Sequence, residues 1–237
     1  MTSTPALELI DVVAGYGRIE VLHGVSLRVP AGTVFALLGP NGAGKTTTLA
    51  VASGKIRASS GCVHVTGTHV NRAAPEALAK AGVCRIPEGR GIFPNLTVDE
   101  NLRMWTYSGP LSAREVKEKA YARFPRLGER RNQLAGTMSG GEQQMLAMSR
   151  ALVTDPGVLL LDEISMGLAP KIVAELYELV GQLAQEGISI LLVEQFARTA
   201  LAVADYAAVM TGGRIAMVGQ PGDVADFVNE AYLGGAA

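Results

Sequence analysis

The stretch GPNGAGKTT, Gly39 to Thr47, sets two glycines around four residues and follows them with Lys45 and Thr46. That spacing suits a loop that cradles phosphates. Glycines let backbone amides turn toward the anion, and the N-terminus of a following helix adds a favourable dipole. Lys45 would neutralise the β and γ phosphates, Thr46 would offer its hydroxyl to a divalent cation, and Thr47 would add a phosphate hydrogen bond. The candidate nucleotide-binding residues are therefore Gly39, Asn41, Gly42, Gly44, Lys45, Thr46 and Thr47, with ATP and Mg2+ as the expected cofactors. Such a loop needs a strand before it and a helix after it. TVFALL is apolar and runs directly into Gly39, and KTTTLAVASG reads as a helix ended by Gly54. The plainer reading, a glycine turn beside a surface lysine, explains neither flank.

Two acids end a second apolar run, VLLLDE at residues 158–163. Carboxylates at the carboxyl edge of a sheet sit where α/β proteins bind ligands. Asp162 suits Mg2+, and Glu163 suits a general base that polarises the attacking water. Either acid alone would read as a solvated strand end, but paired with the phosphate loop they form a constellation. MSGGEQQ, from Met138, opens a further helix with a Ser and two glycines. Free amides and a hydroxyl at a helix start make a second anion site, carried by Ser139, Gly140, Gly141 and Glu142, although the same residues alone would serve as a helix cap. Met145, Met148 and Leu152 behind it form an apolar stripe expected to pack in the core.

The elements that must hold these groups follow from periodicity. LELIDVV, VLHGVSLRV and TVFALL alternate as strands, GCVHVTG is a short strand, and SILLV is a buried one. From about Pro94 to Leu152 helical stretches such as VDENLRMW and SAREVKEKAYARF take over. A helix opened by Pro170 and closed by Gly187 carries Ile172, Val173, Leu176, Leu179, Val180 and Leu183 on one face, and YAAVM and RIAMVG suit a closing hairpin. Apolar strands interleaved with amphipathic helices imply a largely parallel sheet covered on both faces. The 237 residues, 48% of them hydrophobic, can bury a full core. A formal net charge of -1 argues against a nucleic-acid partner. Apolar runs are too short to span a bilayer, no secretory signal is visible at MTSTPALELIDV, and Cys62 and Cys84 are too few for a disulfide framework or a metal site. His23, His64 and His69 lack ligand-like spacing and read as surface or packing residues.

The phosphate loop, MSGGEQQ and the strand ending in Asp-Glu together resemble ATP-binding cassette (ABC) proteins. Ser139 follows Lys45 by 94 residues, Asp162 follows Ser139 by 23, and Gln195 follows Asp162 by 33, so the likeness covers nearly the whole chain. It implies an α/β P-loop ABC ATPase fold: a mostly parallel sheet flanked by helices, an N-terminal antiparallel β subdomain, and an inserted helical subdomain at 89–154 between 1–88 and 155–237. It also implies that Tyr16 in GYG stacks on adenine, where the plainer alternative is a half-buried strand tyrosine. SMGLAP, from Ser165, would link the two sites of a dimer. Three departures from the general cassette pattern stand out: Glu88 in IPEGRGIF takes the usual Gln position and a place near the metal, Gln195 in LLVEQ replaces the usual switch His, and Ile164 replaces a frequent Pro. Gln195 cannot titrate, so the water-activating burden falls on Glu163.

IPEGRGIFPNLTVDENL, FPRLGERR, GTMSGGEQQML, GLAP, LLVEQ and AYLGG resemble an ATPase subunit of bacterial branched-chain amino acid importers. The resemblance implies a dimer with a second ABC ATPase, a sister subunit or a second copy, in which each signature completes the other chain's nucleotide site. It further implies two integral membrane permease subunits, indirect work with a periplasmic or extracellular binding protein, and a place on the cytoplasmic face of the membrane. Two other readings remain at this point: an ATP-gated assembly module with little hydrolysis, and the equivalent subunit of an importer for amides or urea. Arg123, Arg126, Arg130 and Arg131 read as a solvated face or a partner contact, and Trp105 as core or a seat for a membrane subunit.

Overall fold

The computed structural model describes residues 4–89, 91–104 and 111–233. Trp105 and the two glycines of AYLGG lie outside them. The chain divides into two compact units, one of residues 1–85, 157–163 and 177–237, the other of 86–156 and 164–176.

In the first unit, β1 (Leu7–Tyr16), β2 (Ile19–Val29), β4 (Ser60–Val65) and β5 (Thr68–His69) form an antiparallel sheet in the order β2-β1-β4-β5. A second sheet runs β10-β9-β3-β8-β7-β6, with β3 (Val34–Leu38), β6 (Val83–Ile86), β7 (Val158–Asp162), β8 (Ser189–Glu194), β9 (Tyr206–Thr211) and β10 (Arg214–Gly219). β3, β7, β8 and β9 pair in parallel, whereas β9 and β10 close it as an antiparallel hairpin. Every residue of β3, β7 and β8 is buried, as strands covered on both faces require. One core joins Leu7, Leu9, Leu22 and Val63 of the first sheet to Phe35, Leu160, Leu191 and Met210 of the second, through Leu49 and Val51 of helix α1 (Lys45–Ala52).

The second unit is helical. After α2 (Pro75–Lys80) in the first unit come α3 (Val98–Arg103), α4 (Ala113–Arg123), α5 (Pro125–Glu129) and α6 (Gly140–Leu152). α3, α4 and α6 each start with a capping box, Thr97 with Glu100, Ser112 with Glu115 and Ser139 with Glu142. On α6 the buried side follows Leu146, Ala147, Met148 and Ala151, while Met145 and Leu152 are only partly covered. The stripe read from the sequence is thus right at Met148 and offset at both ends. The remaining helices are α7 (Pro170–Gln185), α8 (Ala197–Leu201) and α9 (Pro221–Leu233).

Asn101, fully buried in α3, holds the preceding loop: Nδ2 donates to the carbonyls of Phe93 (2.9 Å), Leu96 (3.2 Å) and Thr97 (3.0 Å), and Oδ1 accepts from the Phe93 amide (2.8 Å). Arg150 braces the same loop from α6 through the Gly91 carbonyl at 2.6 Å and the Phe93 ring at 5.0 Å. Asn101→Leu strands these buried groups, so denaturant unfolding is expected to register a loss of about 3 kcal/mol. A change under about 1 kcal/mol would mean that water takes over the loop's polar groups.

Candidate functional site

Three strands of the parallel sheet end side by side. Leu38 of β3 is in register with Glu194 of β8, and Val193 of β8 with Asp162 of β7. Gly39, Glu163 and Gln195 each follow directly, so the phosphate loop, the paired acids and the switch position share one carboxyl edge.

The loop's glycines are dictated by space and by backbone. At Gly39 a Cβ would meet the Met210 carbonyl oxygen at 2.2 Å. Gly44, the residue capping α1, lies at φ 107, a conformation that L side chains resist, and it lends no side chain to the orphan amides of the first helical turn. The Gly213 amide donates to the Ala43 carbonyl at 2.9 Å, bracing the loop from the β9–β10 turn. Gly39→Ala is therefore expected to weaken ATP binding by at least about tenfold through displacement of the loop, read by equilibrium dialysis. Unchanged affinity would show that the loop can shift at no cost.

Lys45 is 4% exposed, and its Nζ donates to the carbonyls of Gly39 (2.9 Å) and Pro40 (3.2 Å) while lying 3.4 Å from Glu163 Oε1. Asp162 is 1% exposed; its Oδ1 accepts from Thr46 Oγ1 at 3.1 Å and its Oδ2 from an Arg85 nitrogen at 2.7 Å. Glu163 leaves the strand in a left-handed conformation, φ 46, with its amide donating to the Val193 carbonyl at 2.9 Å. That backbone costs about 1–2 kcal/mol for a residue with a Cβ, and it accompanies a carboxylate facing Lys45. A buried cation, a glycine cradle and the Thr46 and Asp162 oxygens fit a polyphosphate with a hard divalent cation. Thr47 is buried, Asn41 and Gly42 are exposed on the loop, Gln195 is exposed after β8, and Tyr16 is 53% exposed at the tip of the β1–β2 hairpin. Glu88 is exposed in the turn after β6.

The second cluster belongs to the helical unit. Glu142 Oε2 accepts from the Ser139 amide and from its hydroxyl, each at 2.9 Å, and Oε1 faces Arg130 Nε at 2.9 Å. Burial alone would raise the Glu142 pKa, but the Ser139 hydrogen bonds and the charges of Arg130 and Arg126 outweigh it and hold the carboxyl below the ordinary glutamate value. A folded pKa below the unfolded one gives stability that is complete above the unfolded pKa and lost as pH falls through the folded one. Acid titration of Glu142→Gln should accordingly lack that part of the low-pH loss, and an unchanged acid limb would contradict it. Gly141 has a packing reason: a Cβ would meet Ile172 Cγ2 at 2.6 Å.

Lys45, Thr46, Asp162 and Glu163 thus converge within one unit, and Ser139, Gly140, Gly141 and Glu142 within the other. Two partners escaped the sequence reading. Arg85, on β6, drew no reading from the sequence, and Arg130, read as part of a solvated face or a partner contact, pairs with Glu142. Among the described residues no three His, Cys, Asp or Glu side chains group as a metal site, and no helix is long and apolar enough to cross a membrane. Cys62 and Cys84 are each partly buried.

Residues 22–165 match the family model described as ABC transporter. The high-affinity branched-chain amino acid transport ATP-binding protein BraG of Pseudomonas aeruginosa is 44% identical over 93% of this chain and 96% of its own length. A probable branched-chain amino acid transport ATP-binding protein, LivF of Archaeoglobus fulgidus, is 36% identical over 90% of this chain and 91% of its own. Among solved structures, the ADP conformation of an ATP-binding cassette of an ABC transporter superposes with a TM-score of 0.86 at 28% identity, covering 98% of this chain and all of the other.

Proposed function

The chain belongs to the ABC transporter family as an ATP-binding cassette, and from that premise we propose that it is the ATP-hydrolysing subunit of an importer for branched-chain amino acids. The observation that carries the ATPase reading is the convergence of Lys45 and Thr46 on Glu163 and Asp162 at one sheet edge. Likeness to the two transport ATP-binding proteins supports the choice of cargo.

The loop amides and Lys45 hold the β and γ phosphates, and Tyr16 supplies an aromatic face for adenine. Thr46 and Asp162, with Glu88, would hold Mg2+, and the ion would supply charge neutralisation on the phosphate oxygens. Glu163 accepts a proton from the attacking water, and Gln195 orients that water by hydrogen bonding. Lys45 leaves Glu163 for the phosphates when nucleotide enters, which frees the carboxylate for this task. Ser139, Gly140 and Gly141 face the nucleotide of a second ATPase subunit, and Glu142 serves them through the cap. That subunit is a sister ATPase, or a second copy in isolation. Two permease subunits dock on the helical subdomain, residues 89–154, and hold the chain at the cytoplasmic face of the membrane, where ATP-driven closure is transmitted to them. A substrate-binding protein on the far side selects the amino acid.

Phosphate release and ATP dialysis on the purified chain test the enzymatic half of this reading. ATP binding and Mg2+-dependent phosphate release are expected; neither occurring at saturating ATP would contradict it.

A further inference from the structure

Arg85 is a charged group near the site to which the proposed function gives no task. It lies on β6, beside β7 in the sheet, in a segment VCRI whose first and last residues are buried. Its side chain is 10% exposed, and its hydrogen bond in the site goes to Asp162 Oδ2 at 2.7 Å, while Nε, also buried, has no hydrogen-bond partner among the described residues. A guanidinium held this far from water with one arm unbonded is a poor structural brace, but it delivers a full positive charge to a carboxylate that is itself 1% exposed. The two oxygens of Asp162 face different partners: Oδ1 meets Thr46 at 3.1 Å, and Oδ2 meets Arg85.

We infer that Arg85 is a positioning residue for nucleotide binding: a resident counter-ion that neutralises Asp162 from the side away from Thr46, so that ATP can enter before the divalent ion is in place. Without Arg85, a buried negative charge would stand beside the incoming phosphates, and Lys45 would have to offset both. With it, Asp162 presents Oδ1 toward Thr46 at little net charge. This inference rests on the assignment of Asp162 to the nucleotide site.

The test is the ATP dissociation constant, measured by equilibrium dialysis without turnover, in excess EDTA and in excess MgCl2. The ratio of the two constants reports how far binding depends on the divalent ion. Arg85→Met and Arg85→Gln are expected to raise that ratio by about tenfold over wild type, and Arg85→Lys, which keeps the charge, to stay within about threefold of it. In an Asp162→Asn background, removal of Arg85 should leave the ratio unchanged, because the charge that it offsets is gone. That double replacement also supplies a variant with no unpaired buried charge if either neutral variant fails to fold. A ratio that does not move in the neutral variants, or that moves equally with Asn at 162, overturns the inference, and an equal loss of affinity in both buffers would reduce Arg85 to a structural part. Failure of the underlying reading looks different: wild type and Lys45→Ala would bind ATP equally, or not at all, in either buffer.

Discussion

Replacing Glu163 by glutamine is expected to lower ATP turnover by about 10²–10⁴-fold while leaving ATP affinity within a few-fold of wild type. The side chains match in volume, so the loss isolates the ability to accept a proton. Gln195 cannot take over, because an amide orients water but holds no proton for it. Removing the Glu163 charge also releases Lys45 from its partner at 3.4 Å. Affinity should therefore be kept or slightly raised. Pre-steady-state phosphate release and dialysis with the variant separate the two effects. An ATP-gated assembly module would behave otherwise: its slow turnover would scarcely change, because no proton acceptor sets it.

Lys45→Ala is expected to have the second large effect, a loss of ATP affinity of about 100-fold or more. Charge-assisted hydrogen bonds contribute roughly 1.5–3 kcal/mol each, and the ammonium makes more than one to the phosphates in the proposed complex. The Lys45 stem is buried, and its head is held by two loop carbonyls. Alanine thus removes a preformed cation and also leaves Glu163 without its counter-charge. Lys45→Met, which keeps the stem, should lose as much affinity with less loss of thermal stability; retention of affinity by Lys45→Met would contradict a charge-based role for Lys45.

Much of this arrangement was legible in the sequence because local chemistry specified it. Glycines with no room for a Cβ, a fully apolar run ending in two acids, and a Ser followed three residues later by a Glu each carry their own geometry. What escaped was long-range pairing. Arg85 and Asp162 are 77 residues apart and meet because β6 and β7, with α3 to α6 between them in the chain, are neighbours in the sheet. Arg130 looked like one of four exposed arginines, and nothing local marked Glu142 as its partner. The buried side of α6 was offset for a related reason: Met145 and Leu152 satisfy the helical period, yet what surrounds the helix decides which side is covered, and that side runs through Leu146, Ala147 and Ala151. The left-handed backbone of Glu163 was equally hidden, since no residue type announces it outside glycine and asparagine.

If ATP turnover at Glu163 drives amino acid uptake, radiolabelled leucine uptake in cells deleted for this chain will depend on that carboxylate. Complementation with the wild-type chain should restore uptake, and complementation with Glu163→Gln at equal abundance should not. Full uptake in the deleted cells, or full rescue by Glu163→Gln, would contradict the account.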